Sequence, residues 1–149
     1  YGNIKNNIFF PEYYSQNWKT KKKSRRIEIF FNDQSVDKLI INPKETEKAR
    51  VDFKNIKNYL DPLTSFLNIL LGSKKSKTID GRRVYSMVVD DGYEDKINIF
   101  IKDYNNIWAD HKKNDLKNIE VYGRGYQNFK LPNALKINFK GVIFKLSKI

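Results

Sequence analysis

Asp61-Pro62-Leu63-Thr64-Ser65-Phe66-Leu67-Asn68-Ile69-Leu70-Leu71-Gly72 is the one stretch of this sequence that carries both ends of a helix. Asp61 suits the N-cap, where a carboxylate accepts from the free amides of the first turn. Pro62 suits the first helical position, having no N–H to leave unpaired, and Gly72 suits the left-handed stop. Leu63, Phe66, Leu67, Leu70 and Leu71 recur at the spacing of a single apolar face. The pattern predicts one short helix over residues 61–71. A helix of about three turns does not hold alone in water, so this face must pack against something. A sheet is the available partner.

Everything outward from that helix reads as β or loop. Ahead of it, Ile27, Ile29 and Phe31 alternate with Glu28 and Phe30, which predicts a half-buried strand over Arg25 to Phe31. Asn32 to Ser35 is a turn and Val36 to Ile41 the returning strand, a hairpin ended by Asn42-Pro43. The charged stretch Lys44 to Lys57 reads as a loop or exposed linker, and residues 1–23 as a strand end or an aromatic-anchored loop around Pro11. After the helix, Asp80-Gly81 makes a turn into a strand, Val84 to Val89. Asp90-Asp91-Gly92 makes the next turn, and Ile97, Ile99 and Ile101 alternate along another strand. Residues 103–115 read as a loop or strand with an exposed tip, and Ile119 to Tyr122 as a short strand. Leu131-Pro132 opens a last hairpin, Ala134 to Phe139 and Val142 to Leu146, turning at Gly141. The fold class is α+β, mainly β: an antiparallel sheet with one short helix laid on it.

The 149 residues fit a single domain over positions 1–149. A hydrophobic fraction of 40% is enough for a real core and too much for a disordered chain. With no Cys and one His, the chain offers no disulfide, no thiolate nucleophile and no multi-histidine metal cluster. No apolar run approaches the roughly 20 residues that span a bilayer. The net charge of +12 is carried by 23 Lys against 6 Arg. Lys, Asn and Ile are the residues an AT-rich coding sequence favours, whereas nucleic-acid readers lean on Arg. Codon bias accounts for the charge at least as well as a polyanionic partner does.

Three constellations carry chemistry. His111, beside Asp110, lies in a polar patch, and Asp90-Asp91 with Glu94-Asp95 lack the spacing of a calcium loop, so a hydrolase ranks last. No cofactor or metal is expected. The run containing Lys21, Lys22, Lys23, Arg25 and Arg26, preceded by Tyr13, Tyr14 and Trp18, has the composition of a single-strand stacking groove. It also suits attraction to an anionic membrane surface. Gly123-Arg124-Gly125-Tyr126 adds one weak copy of an RNA-tail motif. Finally, a curved sheet around the helix can leave an apolar cavity lined by Leu63, Phe66, Leu67 and Leu70, unless those residues simply fill the core.

Tyr59 to Leu70, followed by Asp80-Gly81-Arg82-Arg83-Val84-Tyr85, resembles domain-of-unknown-function family 3108, found in envelope proteins of Gram-negative bacteria. Pro11 to Tyr14, Arg25 to Phe31 and the closing hairpin agree with it in order. The resemblance implies a periplasmic, half-barrel-like domain of the lipoprotein-carrier kind, with no catalytic residues. It also implies a cysteine pair that this chain lacks, and further strands ahead of the segment matching Tyr1, so the chain is expected to start inside its domain. Arg82 and Arg83, with Tyr85, join the helix face as candidate ligand-binding residues, able to pair with an acid or hold an anion.

The leading expectation is therefore a non-enzymatic envelope domain that binds a lipid, a lipoprotein or a partner protein. A nucleic-acid-binding module using the Lys19 to Arg26 patch is the alternative. It requires one contiguous basic face with Tyr13, Tyr14 and Trp18 exposed on it.

Overall fold

The computed structural model describes residues 1–90, 95–108, 115–126 and 129–148. Strand accounts for 63% of the chain and helix for 8%, so the single helix is an accessory to the sheets. Antiparallel sheets pack on it, and among the described residues none closes into a barrel.

The chain begins with a two-stranded hairpin, β1 (Gly2–Lys5) and β2 (Ile8–Pro11). A three-stranded antiparallel sheet follows, made of β3 (Tyr13–Lys19), β4 (Ser24–Asn32) and β5 (Ser35–Asn42). Residues 1–23 are thus largely strand, where a strand end or loop was expected. Pro11 is tolerated because it ends β2, in a sheet of only two strands.

The main sheet has seven strands. In chain order they are β6 (Tyr59–Leu60), β7 (Lys75–Ile79), β8 (Arg83–Asp90), β9 (Lys96–Asn106), β10 (Leu116–Tyr126), β11 (Phe129–Phe139) and β12 (Val142–Ser147). Each lies beside its neighbour in sequence, and only the short β6–β7 pair is parallel. Strand β10 runs 11 residues, longer than the Ile119 to Tyr122 segment expected, with a register shift at Tyr122/Gly123. Among the described residues, three hairpins close through two consecutive residues at positive φ, namely Asn6-Asn7, Asp33-Gln34 and Lys140-Gly141. Such mirror-image turns match the right-handed twist of the strands they join.

The helix α1 (Pro62–Leu70) lies between β6 and β7. Asp61 caps it as expected, accepting from the amides of Leu63 (2.9 Å) and Thr64 (3.1 Å), and Gly72 leaves it at φ 104°. Its buried side differs from the predicted face. Leu63 is 61% exposed, Phe66 and Leu67 are half-buried, and the buried residues are Ser65, Asn68, Ile69 and Leu70. The two polar residues are buried because each has fixed partners. Ser65 Oγ accepts from Ser76 Oγ (2.9 Å) and Thr78 Oγ1 (2.8 Å) on β7. The Asn68 amide grips the backbone of Phe9, accepting from its N–H (2.8 Å) and donating to its carbonyl (2.9 Å). This fastens the β1–β2 hairpin to the helix.

Two core clusters result. One joins Ile69 and Leu70 to the sheet face carrying Met87, Ile99 and Val121. The other joins Ile27, Ile29 and Phe31 of β4 to Ile79, Val84 and Ile107. Ile56 is buried in this second cluster, with Ala49, Val51 and Phe53 packed against it. The stretch Lys44 to Lys57 is therefore not an exposed linker: its apolar residues pack against the second cluster, and the Glu45 side chain is buried in ion pairs with Arg25 and Arg82.

Among the described residues no helix is long and apolar enough to cross a membrane.

Candidate functional site

The helix residues expected to line a cavity are mostly spent on the core. Leu70 is buried, and Phe66 and Leu67 pack against the same cluster. Leu63 faces outward. Tyr85 is buried too, with its ring stacked on Tyr104 at 6.3 Å, and burial holds its hydroxyl well above the usual tyrosine range. The pockets described next lie elsewhere.

The first is a groove of about 860 Å³ between β5 and the segment that follows it. Leu39 and Ile41 of β5 form one wall; Ala49, Val51 and Phe53 form the other; Trp108, just past β9, stands between them. The Phe53 and Trp108 rings lie 6.2 Å apart. Two bonds hold this arrangement. The Arg50 amide donates to the Ile107 carbonyl (2.8 Å), and the Trp108 indole Nε1 donates to the Gly81 carbonyl (3.2 Å). Charges of both signs, from Lys44 to Asp52, rim an apolar interior. Sequence reasoning missed this groove. The signal was Ala49, Val51 and Phe53 at every second position inside a charged run.

The second pocket, about 430 Å³, opens where the β3–β4 hairpin, the β7–β8 turn and the β11–β12 turn meet. Arg25, Arg82, Arg83 and Lys140 line it with one carboxylate, Asp80. Trp18 and Phe139 supply aromatic surface. The turn is built by Asp80 itself, whose Oδ1 accepts from the amides of Arg82 (2.8 Å) and Arg83 (2.7 Å). Carboxylates outside the lining hold the cations in place. Glu45 pairs with Arg25 and also with Arg82 (3.7 Å), and Asp115 pairs with Arg83 (3.8 Å) and Lys140 (3.4 Å). Burial works against the Arg83 charge, but Asp80 at 3.3 Å and Asp115 outweigh it and raise its pKa. The Arg83 Nε is buried without a hydrogen-bond partner. Arg82 and Arg83, expected to hold an anion or an acid, do hold acids and share one pocket.

The basic run does not form the single stacking face the nucleic-acid reading needs. Tyr14 and Trp18 lie on the inner face of the three-stranded sheet with Arg25, whereas Tyr13 and Arg26 lie on its outer face. The Tyr13 ring lies tilted against Phe30 at 5.0 Å, and its hydroxyl donates to Glu28, which also pairs with Arg26. The Tyr14 hydroxyl is pushed up to about 12, by burial first and then by the Asp80 and Asp61 charges. Of the three rings only Trp18 is exposed, at 50%, and Lys21, Lys22 and Lys23 sit in the exposed connection between β3 and β4.

His111, the Asp91-Gly92 part of the expected turn and Glu94 lie outside the described residues, as does the side chain of Arg124. Among the described residues no group of His, Asp and Glu is placed to hold a metal.

One further surface stands out. Across the main sheet, Ile99, Ile119, Ile137 and Phe144 form one cross-strand row, and Ile97, Val121, Leu135 and Leu146 form the next. Each row ends exposed on β12, the first running from Ile99, fully buried, to Phe144, 51% exposed, and the second ending at Leu146, 56% exposed. All six residues of β12 are exposed, and β12 pairs on one side only.

Comparison of the chain with protein-family models, curated proteins and solved structures found no match in any of the three.

Proposed function

We propose that this chain is a non-enzymatic binding domain of the bacterial cell envelope whose groove beside β5 takes an apolar ligand. The ligand class is a lipid or the acyl chain of a lipoprotein. One observation carries the reading: an apolar groove of about 860 Å³, walled by aliphatic residues, contains two aromatic rings tilted at 42° to each other and has a charged rim. Its size falls within the range of small-molecule sites, which are typically apolar inside and polar only where orientation is fixed. The envelope setting rests on the resemblance carried by Tyr59 to Leu70 and Asp80 to Tyr85.

The test uses protein purified gently from envelope membranes and measured by native mass spectrometry. The reading expects an adduct that organic solvent extracts as a lipid. After extraction, the uncharged dye N-phenyl-1-naphthylamine should bind saturably, and Ala49→Phe, which fills the groove, should abolish that binding without loss of fold. A bare mass, together with dye binding that Ala49→Phe leaves intact, removes the reading.

A second reading is favoured by the open edge. Strand β12 offers unpaired backbone on one side and an uncovered apolar strip of Val142, Phe144 and Leu146 continuous with the core. An extended segment of a partner protein would extend the sheet there. Lys145→Pro removes a backbone donor from this edge strand. Capture of a partner segment that survives Lys145→Pro would sink this reading.

A further inference from the structure

We infer that the pocket between Trp18, the Asp80 to Arg83 turn and Lys140 is an oxyanion site, taking a phosphate monoester or carboxylate carried on a flat apolar group. This is independent of the groove reading.

The charge arrangement is the first argument. Four cationic side chains line the pocket against one carboxylate. That carboxylate is committed to the turn, where Asp80 accepts two amides with one oxygen and the Arg83 guanidinium with the other. The remaining acids, Glu45 and Asp115, are outside the lining and orient the cations. Cations braced by carboxylates from outside a cavity are pre-organised for an anion inside it. Arginine pairs fit a planar or tetrahedral oxyanion through several directed donors.

The second argument is the apolar wall. Trp18 and Phe139 belong to different sheets and meet at this pocket. Trp18, half-exposed and directly opposite Arg25 across the strand pair, offers a ring face for a flat group beside the charge.

The chain's two tryptophans make the site separable from the groove, since Trp18 lines this pocket and Trp108 lines the groove. The experiment follows both indole N–H signals of the ¹⁵N-labelled chain during titration with phenyl phosphate, with inorganic phosphate and benzyl alcohol as controls. Phenyl phosphate should shift the Trp18 signal saturably, leave Trp108 in place, and weaken as salt rises. Lys140→Gln, at an exposed turn, and Arg25→Gln should each raise Kd about tenfold or more, the loss expected of one charge-assisted hydrogen bond. Arg26→Gln, on the outer face, removes the same charge and should leave Kd unchanged.

The inference is overturned if Trp18 fails to saturate. It is equally overturned if Arg26→Gln weakens binding as much as Lys140→Gln, which would mark attraction to net charge alone, or if benzyl alcohol binds equally well. Competition by phosphatidylglycerol vesicles would identify the anion as a lipid headgroup. Phenyl phosphate binding without such competition would identify a soluble anion.

Discussion

Replacing Gly81 by alanine tests the joint on which both pockets depend. Gly81 sits at φ +84°, and a methyl group there would stand 2.5 Å from Ile27 Cγ2 and 3.2 Å from Leu39 Cδ1. Two costs add. A left-handed backbone costs an L-residue about 1–2 kcal/mol. Forcing a methyl into a packed contact costs about 1–3 kcal/mol more. Gly81→Ala should therefore destabilise the chain by about 2–5 kcal/mol in urea unfolding, with an unchanged slope. Gly141 provides the control, because its φ is also positive (+77°) and nothing lies within 4 Å of a methyl built there. Gly141→Ala should show the backbone cost alone, about 1–2 kcal/mol. The difference between the variants isolates the contact of the turn with β4 and β5. Because the Gly81 carbonyl accepts from the Trp108 indole, that indole signal should also move in Gly81→Ala and stay put in Gly141→Ala. Equal destabilisation by the two variants would refute the reasoning.

The helix yields two further tests. Leu70→Ala should cost about 2–5 kcal/mol as a filled core position, whereas Leu63→Ala on the exposed side should stay within about 0.5 kcal/mol; thermal melts of the pair decide. Asp61→Ala should cost about 1 kcal/mol through the lost cap, read by chemical unfolding. Acid stability offers another. Glu120 accepts from the Tyr122 hydroxyl and pairs with Lys96 (3.1 Å) and Lys136 (3.2 Å), which together hold its carboxyl down at about 2. A carboxyl whose pKa is lower folded than unfolded stabilises fully above the unfolded value and loses that contribution as pH falls towards the folded one. Stability should therefore decline between about pH 4.5 and 2, and Glu120→Gln should flatten that limb of the pH–stability curve. An unchanged limb would show that Glu120 is not its source.

Those elements written in local signals were legible in the sequence. Asp61 and Gly72 bracket the helix because capping is decided within a few residues. Ile27, Ile29 and Phe31, and later Ile97, Ile99 and Ile101, give their strands away by alternation, and all six are buried. What was not legible depended on distant partners. Ser65 and Asn68 read as the polar side of the helix, yet both are buried. Nothing near them announces Thr78 on β7 or the Phe9 backbone, 59 residues away. Leu63 reads as core and is exposed. Ala49, Val51 and Phe53 alternate as a strand would, but the charges between them make the run look solvated. Arg82 and Arg83 were singled out in sequence. Their pocket companions Trp18, on β3, and Lys140, in the β11–β12 turn, lie far away along the chain, so no spacing rule connects them.

The order of the main sheet bears on how the chain folds. From β7 to β12 every strand lies beside the next one in sequence. Each pairing therefore closes a short loop, and the meander can zip up strand by strand without a long search. The N-terminal hairpin and the three-stranded sheet join it through contacts of much greater separation, such as Phe9 with Asn68 and Ile27 with Gly81. Docking those two units onto a preformed meander is the step with the larger loop-closure entropy. The groove beside β5 and the Trp18 pocket both include residues from either side of that junction, so each exists only once docking is complete.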